Sequence, residues 1–256
     1  MFYRQSDIPE IPELSWLLTC MTAKGLMNRA HAYKSMVQDN YEAGDDADHG
    51  ITMGLFSYPI LMAADILMFN AQVIPVGRDQ VQHVEMARDI AQRFNHHYGT
   101  CFELPTAQID ESHETLMGVD GRKMSKSYQN TIPIFLSEKQ LRKHINRIKT
   151  NLLEPGEPKD TKTSVIFQLW KAFATHEQIQ EMSDEFSSGI AWGEAKHLLF
   201  ELINHRLREP RERYNELIAN PAQIESVLLD GAERARQYSI DFMRELRTSV
   251  GIQSLR

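Results

Sequence analysis

Apolar positions change their spacing several times along the first half of the chain. Phe2 to Gln5 reads as the end of a strand, with Ser6 or Asp7 as a cap, and Ile11 to Tyr41 carries helical spacing broken near Lys24-Gly25, which predicts a helical hairpin. Tyr58-Pro59 opens a strongly apolar helix that runs through Phe69. Ala71 to Val76 then reads as a short strand ending at Gly77, and Asp79 starts a helix in which Val84, Ala87, Ile90, Ala91 and Phe94 share one face. Asp79 and Gln82 stand at capping-box spacing. Helix, strand, glycine turn and helix in succession make half of a doubly wound sheet, whose ligands sit beyond the carboxyl ends of the strands. The Gly77 turn is therefore a candidate site.

The pattern changes near Ile134. Ser137 and Gln140 form a second capping-box pair before the basic stretch Leu141 to Lys149, which contributes Arg142, Lys143, Arg147 and Lys149 beside Lys139. A loop with Pro155, Gly156 and Pro158 follows from Asn151 to Thr163. Helical spacing then dominates: Val165 to Ala174, Ile179 to Phe186, Trp192 to Arg206, Glu209 to Ile218, Pro221 to Leu229 and Ala232 to Arg247. The expected fold class is α/β, with a partial Rossmann-like nucleotide-binding core and parallel sheet over 1–134 and an all-helical domain over 135–256.

Composition narrows the picture. No stretch of the 256 residues approaches the roughly 20 apolar residues of a membrane span, and the start lacks a signal-peptide core, so a cytoplasmic protein with no membrane partner is expected. Cys20 and Cys101 have no C-x-x-C spacing and read as reduced, buried fillers; no metal site is expected. The acidic run Gly44 to Gly50 lacks a downstream calcium-loop glutamate and reads as a mobile surface loop. Trp16, Trp170 and Trp192 fall in helical patterns as packing residues. A net charge of −7 confines any RNA contact to a local patch, for which the basic stretch around Arg142 is one candidate and a solvated helix face an equal alternative.

Three clusters carry candidate chemistry. Lys123-Met124-Ser125-Lys126-Ser127 sets two ammonium groups three positions apart among small hydroxyl donors, which suits charge moving onto a leaving pyrophosphate. Most K-x-x-K pairs are solvated turns, but all five letters arise by chance in a chain this long on the order of one time in ten thousand. Asp65 is the only charge in Ile60 to Phe69 and needs a donor, supplied either by a ligand or by an internal arginine or backbone amides. Tyr58, Met62 and Asp65 stand at i, i+4 and i+7, on one helical face. At Gly77-Arg78-Asp79-Gln80 a glycine permits close approach while Asp79 and Gln80 present polar side chains; alone it reads as a capped turn, and with the lysine loop as a nucleotide site.

The runs Tyr58-Pro59 through Met62-Ala63-Ala64-Asp65-Ile66-Leu67, Pro75-Val76-Gly77-Arg78-Asp79-Gln80, Arg88 to Asn95 and Asp120-Gly121-Arg122-Lys123-Met124-Ser125-Lys126-Ser127 together resemble the bacterial tryptophanyl-tRNA synthetases, class I enzymes, over essentially the whole chain. The resemblance implies that Asp65 accepts the indole N–H of tryptophan, that Met62, Ile74 and Val76 line the indole pocket, and that Tyr58 and Gln80 hold the α-amino end. It implies that Gly77 and Asp79 meet the ATP ribose and that Lys123, Met124, Ser125, Lys126 and Ser127 meet the triphosphate, with Lys123 and Lys126 catalytic. ATP with Mg2+, L-tryptophan and tRNA(Trp) are the implied partners, in a homodimer for which Ile11 to Tyr41 is a candidate interface. The helical domain would read the anticodon; Arg234, Arg236, Arg244 and Arg247 lie within it, without assigned contacts. Gln82-His83-Val84-Glu85 favours this family over the tyrosyl-type relatives.

One departure qualifies the implied activity. The family carries an H-I-G-H-type motif after its first strand, and nothing here matches it; His96-His97-Tyr98-Gly99 stands at a helix end instead. The chain is thus expected to be a fragment or late-start product, with an exposed sheet edge beside the lost strand. Two alternatives are a noncatalytic tryptophan- or RNA-binding remnant and a piece with no independent role. The purified chain is expected to show only background tryptophan-dependent ATP–pyrophosphate exchange, and robust exchange would refute that expectation.

Overall fold

The computed structural model describes residues 1–109 and 116–253. They form two compact units, Met1–Glu111 with Ala222–Arg256, and Ser112–Pro221. This division differs from one at 134: the lysine loop falls in the second unit and the last helix in the first. Among the described residues no helix is long and apolar enough to cross a membrane.

The first unit runs α1 (Glu10–Met21), α2 (Lys24–Met27), α3 (His31–Ala43), α4 (Met53–Leu67), β1 (Val73–Val76), α5 (Val81–Tyr98) and β2 (Thr106–Ile109). The interrupted hairpin near Lys24 is present as three helices. Helix α4 starts at Met53, earlier than the Tyr58-Pro59 boundary, because the Thr52 hydroxyl caps it by accepting from Leu55 N at 3.2 Å. Pro59 then lies inside the helix. It forfeits one backbone hydrogen bond there, an interior cost that burial of Pro59, Ile60, Ala63 and Ala64 offsets. Strand β2, which no pattern marked, pairs in parallel with β1 in the register Val73 to Thr106 through Val76 to Ile109. Asn95 fixes the return from α5: its Oδ1 accepts from Cys101 N and Phe102 N at 3.0 and 2.9 Å. Each strand pairs on one side only among the described residues, and Val73 is 55% exposed.

Phe2 to Gln5 forms no strand, contrary to the pattern. It has no neighbouring ladder among the described residues, and Gln5–Asp7 coils into one 3-10 turn. Trp16 is 67% exposed and Cys20 is exposed on α1, so neither is a packing residue; Cys101 is half-buried. The acidic loop is tied down: Asn40 Nδ2 donates to the carbonyls of Ala47 and His49, and Tyr33 Oη donates to Asp48.

In the second unit, α6 (Glu138–Asn146), α7 (Val165–Phe173), α8 (His176–Ser188) and α9 (Trp192–Ala219) surround a core of Leu141, Ile145, Phe167, Trp170, Phe186, Leu199 and Phe200. The capping box of Ser137 and Gln140 is formed, and Thr175 with Gln178 makes another. Helix α9 runs through Pro210 as one element, where two helices, Trp192 to Arg206 and Glu209 to Ile218, were expected. Lys159 is buried; its Nζ donates to the carbonyls of Glu154 and Glu157, both at 3.0 Å, and so holds the long loop before α7.

Helix α10 (Pro221–Ser249) likewise fuses two expected helices, through Gly231, and it belongs to the first unit. Ala232, Ala235, Phe242, Met243 and Leu246 enter the core shared with α1, α4 and α5. Three of its arginines are engaged within this unit: Arg236 with Glu10 at 3.0 Å, Arg247 with Glu13 at 2.6 Å, and Arg244 with Asp241 at 2.7 Å. A glycine inside a helix costs roughly 1 kcal/mol relative to alanine, yet here a Cβ would collide with the carbonyl of Phe2. Gly231→Ala is therefore expected to destabilise the chain by about 1–3 kcal/mol despite the better helix former, read as a lowered urea midpoint.

Candidate functional site

Tyr58, Met62 and Asp65 lie along α4, all half-buried. The Asp65 carboxylate meets no cation among the described residues. Gln5 Nε2 donates to both its oxygens, at 2.9 and 2.7 Å. Among the described residues neither an arginine nor a backbone amide serves the carboxylate; the neutral amide of Gln5, 60 positions away, does. Burial pushes the Asp65 carboxyl above its ordinary range, and the Gln5 hydrogen bond opposes that rise. The nearby Tyr3 phenol is also raised, first by burial and then by the charge of Asp65. A carboxylate offers about four lone-pair sites and Gln5 takes two, so acceptor capacity remains.

At the end of β1, Ile74 and Val76 are half-buried against the core while Gly77 is exposed. The Asp79 carboxylate folds back over Gly77, where a Cβ would stand 2.7 Å from Oδ1. The expected capping pair of Asp79 and Gln82 does not form. The Gln82 amide turns instead to the α2–α3 junction, donating to Arg29 O at 3.0 Å and accepting from His31 N at 2.9 Å. Gln80 Nε2 donates to Asp79 Oδ2 at 2.9 Å, and Gln80 Oε1 lies 3.0 Å from His83 Nδ1. His83 Nε2 lies 3.1 Å from Tyr58 Oη. The first unit thus brings Tyr58, Gln80 and Asp79 together through His83, which the run Gln82-His83-Val84-Glu85 had contained without a role of its own.

The lysine loop is built around Asn130, which is 1% exposed. Its Oδ1 accepts from Ser125 N at 2.8 Å, and its Nδ2 donates to Asp120 Oδ1 at 2.8 Å and Lys123 O at 3.1 Å. Asp120-Gly121 turns the chain, with Gly121 at φ 82°, so that Met117 and Lys123 pair antiparallel. The Asn130 amide first, then the Arg122 N–H and guanidinium, hold Asp120 well below the usual carboxylate range. Met124 is half-buried against the core of the second unit, whereas Lys123 and Lys126 point to solvent and neither ammonium is paired among the described residues. The Ser125 and Ser127 hydroxyls are 2.7 Å apart. Asn130 carried no sequence signal beyond standing five residues after Ser125.

Residues 1–208 match the family model described as tRNA synthetases class I (W and Y). The chain belongs to this family. Tryptophan–tRNA ligase of Pseudomonas aeruginosa is 62% identical over 258 residues, covering 100% of this chain and 58% of that protein; that of Neisseria meningitidis is 59% identical over 256 residues, covering 100% and 76%. The chain therefore spans little more than half the length of the Pseudomonas relative. The crystal structure of Campylobacter jejuni tryptophanyl-tRNA synthetase complexed with ADP and tryptophan superimposes with a TM-score of 0.85 at 43% identity, over 98% of this chain and 76% of that one. The paired parallel strands are accordingly part of the Rossmann-like core of a class I synthetase.

Two outcomes follow from the site's construction. Asn130→Ala leaves the Ser125 amide and the Asp120 carboxylate short of a partner, and is expected to cost about 1–3 kcal/mol and to speed amide exchange at Ser125. Because the Asp65 pKa is raised in the fold, its contribution favours folding at low pH and is lost as pH rises through the elevated value. Thermal melts should show that loss across the carboxylate range, and Asp65→Asn should remove it.

Proposed function

We propose that the chain forms the amino-acid and ribose site of a tryptophan–tRNA ligase, together with its phosphate-contacting loop. The observation that carries this reading is Asp65, a half-buried carboxylate answered among the described residues by a neutral amide and placed on one helix face with Tyr58 and Met62. An acceptor so placed selects a ring that donates N–H, since an analogue without that donor leaves the acid under-satisfied. Met62, Ile74 and Val76 line the indole pocket, Tyr58 and Gln80 hold the α-ammonium, and Gly77 and Asp79 meet the ATP ribose. The names of the Pseudomonas and Neisseria relatives support the tryptophan assignment.

On the second unit, Lys123, Ser125, Lys126 and Ser127 contact the triphosphate, with Met124 fastening the loop to the core behind it. The tryptophan carboxylate attacks the α-phosphorus of ATP, forming tryptophanyl-adenylate as the bond to pyrophosphate breaks; a terminal ribose hydroxyl of tRNA(Trp) then takes the tryptophanyl group and AMP leaves. Mg2+ arrives with ATP. Positioning and charge stabilisation suffice, and Lys123 and Lys126 supply the charge that follows the leaving pyrophosphate. Helices of the second unit contact the tRNA, the working assembly is a homodimer, and the compartment is the cytoplasm.

Asp65→Asn is the test. By calorimetry it should weaken L-tryptophan binding by about tenfold or more, the scale of one hydrogen bond to a charged group, while circular dichroism stays that of the parent. Equal binding by variant and parent would remove Asp65 from the pocket.

A further inference from the structure

We propose that His83 is a positioning residue that makes Tyr58 a hydrogen-bond acceptor for the substrate's ammonium group. The inference rests on the reading of Tyr58 and Gln80 given above and adds a residue to it. Asp79 Oδ2, as a carboxylate oxygen, can only accept, so the Gln80 atom 2.9 Å from it is the donating Nε2. The amide is thereby oriented. Gln80 Oε1 is then the atom that faces His83 Nδ1 at 3.0 Å, and it too can only accept, so Nδ1 carries the imidazole proton. A neutral imidazole has one N–H, which leaves Nε2 bare. Tyr58 Oη, 3.1 Å away, donates its hydrogen to that nitrogen.

The proton positions therefore run in one direction from the Asp79 carboxylate to the phenol. With its only hydrogen committed to His83, Tyr58 offers the pocket lone pairs alone. An ammonium group has three donors and no acceptor, so it meets a phenol of fixed polarity and no O–H has to be turned out of its way. The two rings stand edge to face, with centroids 5.6 Å apart, which holds the imidazole plane against rotation. Chemically, the chain Asp79, Gln80, His83 and Tyr58 discriminates for a cationic amine and does not touch the indole.

Two measurements test this. In the 15N-labelled parent chain at neutral pH, two-bond 1H–15N spectra of the His83 ring, assigned by their loss in His83→Gln, should show a protonated Nδ1 and a bare Nε2; the opposite tautomer overturns the relay and leaves the pocket reading standing. Calorimetry then compares L-tryptophan with indole-3-propionate, which keeps the indole and the carboxylate and lacks the ammonium. His83→Leu should weaken L-tryptophan about tenfold and change indole-3-propionate by less than about twofold, whereas His83→Gln, whose side-chain carbonyl accepts the Tyr58 hydroxyl, should recover most of the loss. Equal weakening of both ligands overturns the proposal. A parent chain that binds neither ligand overturns the pocket reading and this proposal with it.

Discussion

A carboxylate on an apolar helix must be supplied with donors or lose its charge, and the amino-terminal segment of the first unit meets that demand at Asp65. Among the described residues the answer is an amide and no cation, which leaves the acid lone pairs free to accept. Supplying that amide dictates the course of the amino-terminal segment. Gln5 has to turn towards α4, which it does by coiling with Ser6 and Asp7. Arg4 is drawn the other way, donating to Asp7 and to Glu225 of α10 at 2.8 and 2.6 Å. A chain segment that looks like the tail of a strand is thus held as a bracket between two helices.

Legibility in the sequence follows the range of the interaction concerned. The face of Tyr58, Met62 and Asp65, the strand before Gly77 and the capping box at Ser137 are local, and spacing alone reveals them. Gln5 and Asp65 are 60 positions apart, and no period connects them. Strand β2 is four residues with polar Gln108 in it, and only pairing with β1 makes it a strand. A proline was the other source of error: Pro59 read as a helix boundary, yet it is interior and buried, where packing outweighs a lost backbone bond. At Asp79 and Gln82 the spacing for a capping pair was right, but Gln82 found better use in the junction at Arg29 and His31.

The lysine loop divides its labour by residue. Asn130 and Asp120 fix the backbone, and because Asp120 is spent on Arg122 and Asn130, its negative charge does not cancel the two ammonium groups. Met124 points the opposite way and fastens the loop from behind. Alternation of Lys123, Met124 and Lys126 is therefore a packing instruction as much as an electrostatic one, and the five-letter string conveys only its visible half.

Helix α10 gives the chain an order of assembly. Its apolar side, from Ala232 to Leu246, completes a core whose other walls are α1, α4 and α5. Those walls leave the ribosome more than a hundred residues earlier, with the entire second unit translated in between. Newly made polypeptide tends to collapse in the order of its emergence, so the unit encoded in the middle closes first, and the one that starts earliest must wait, with an open apolar trough, for the last helix to arrive.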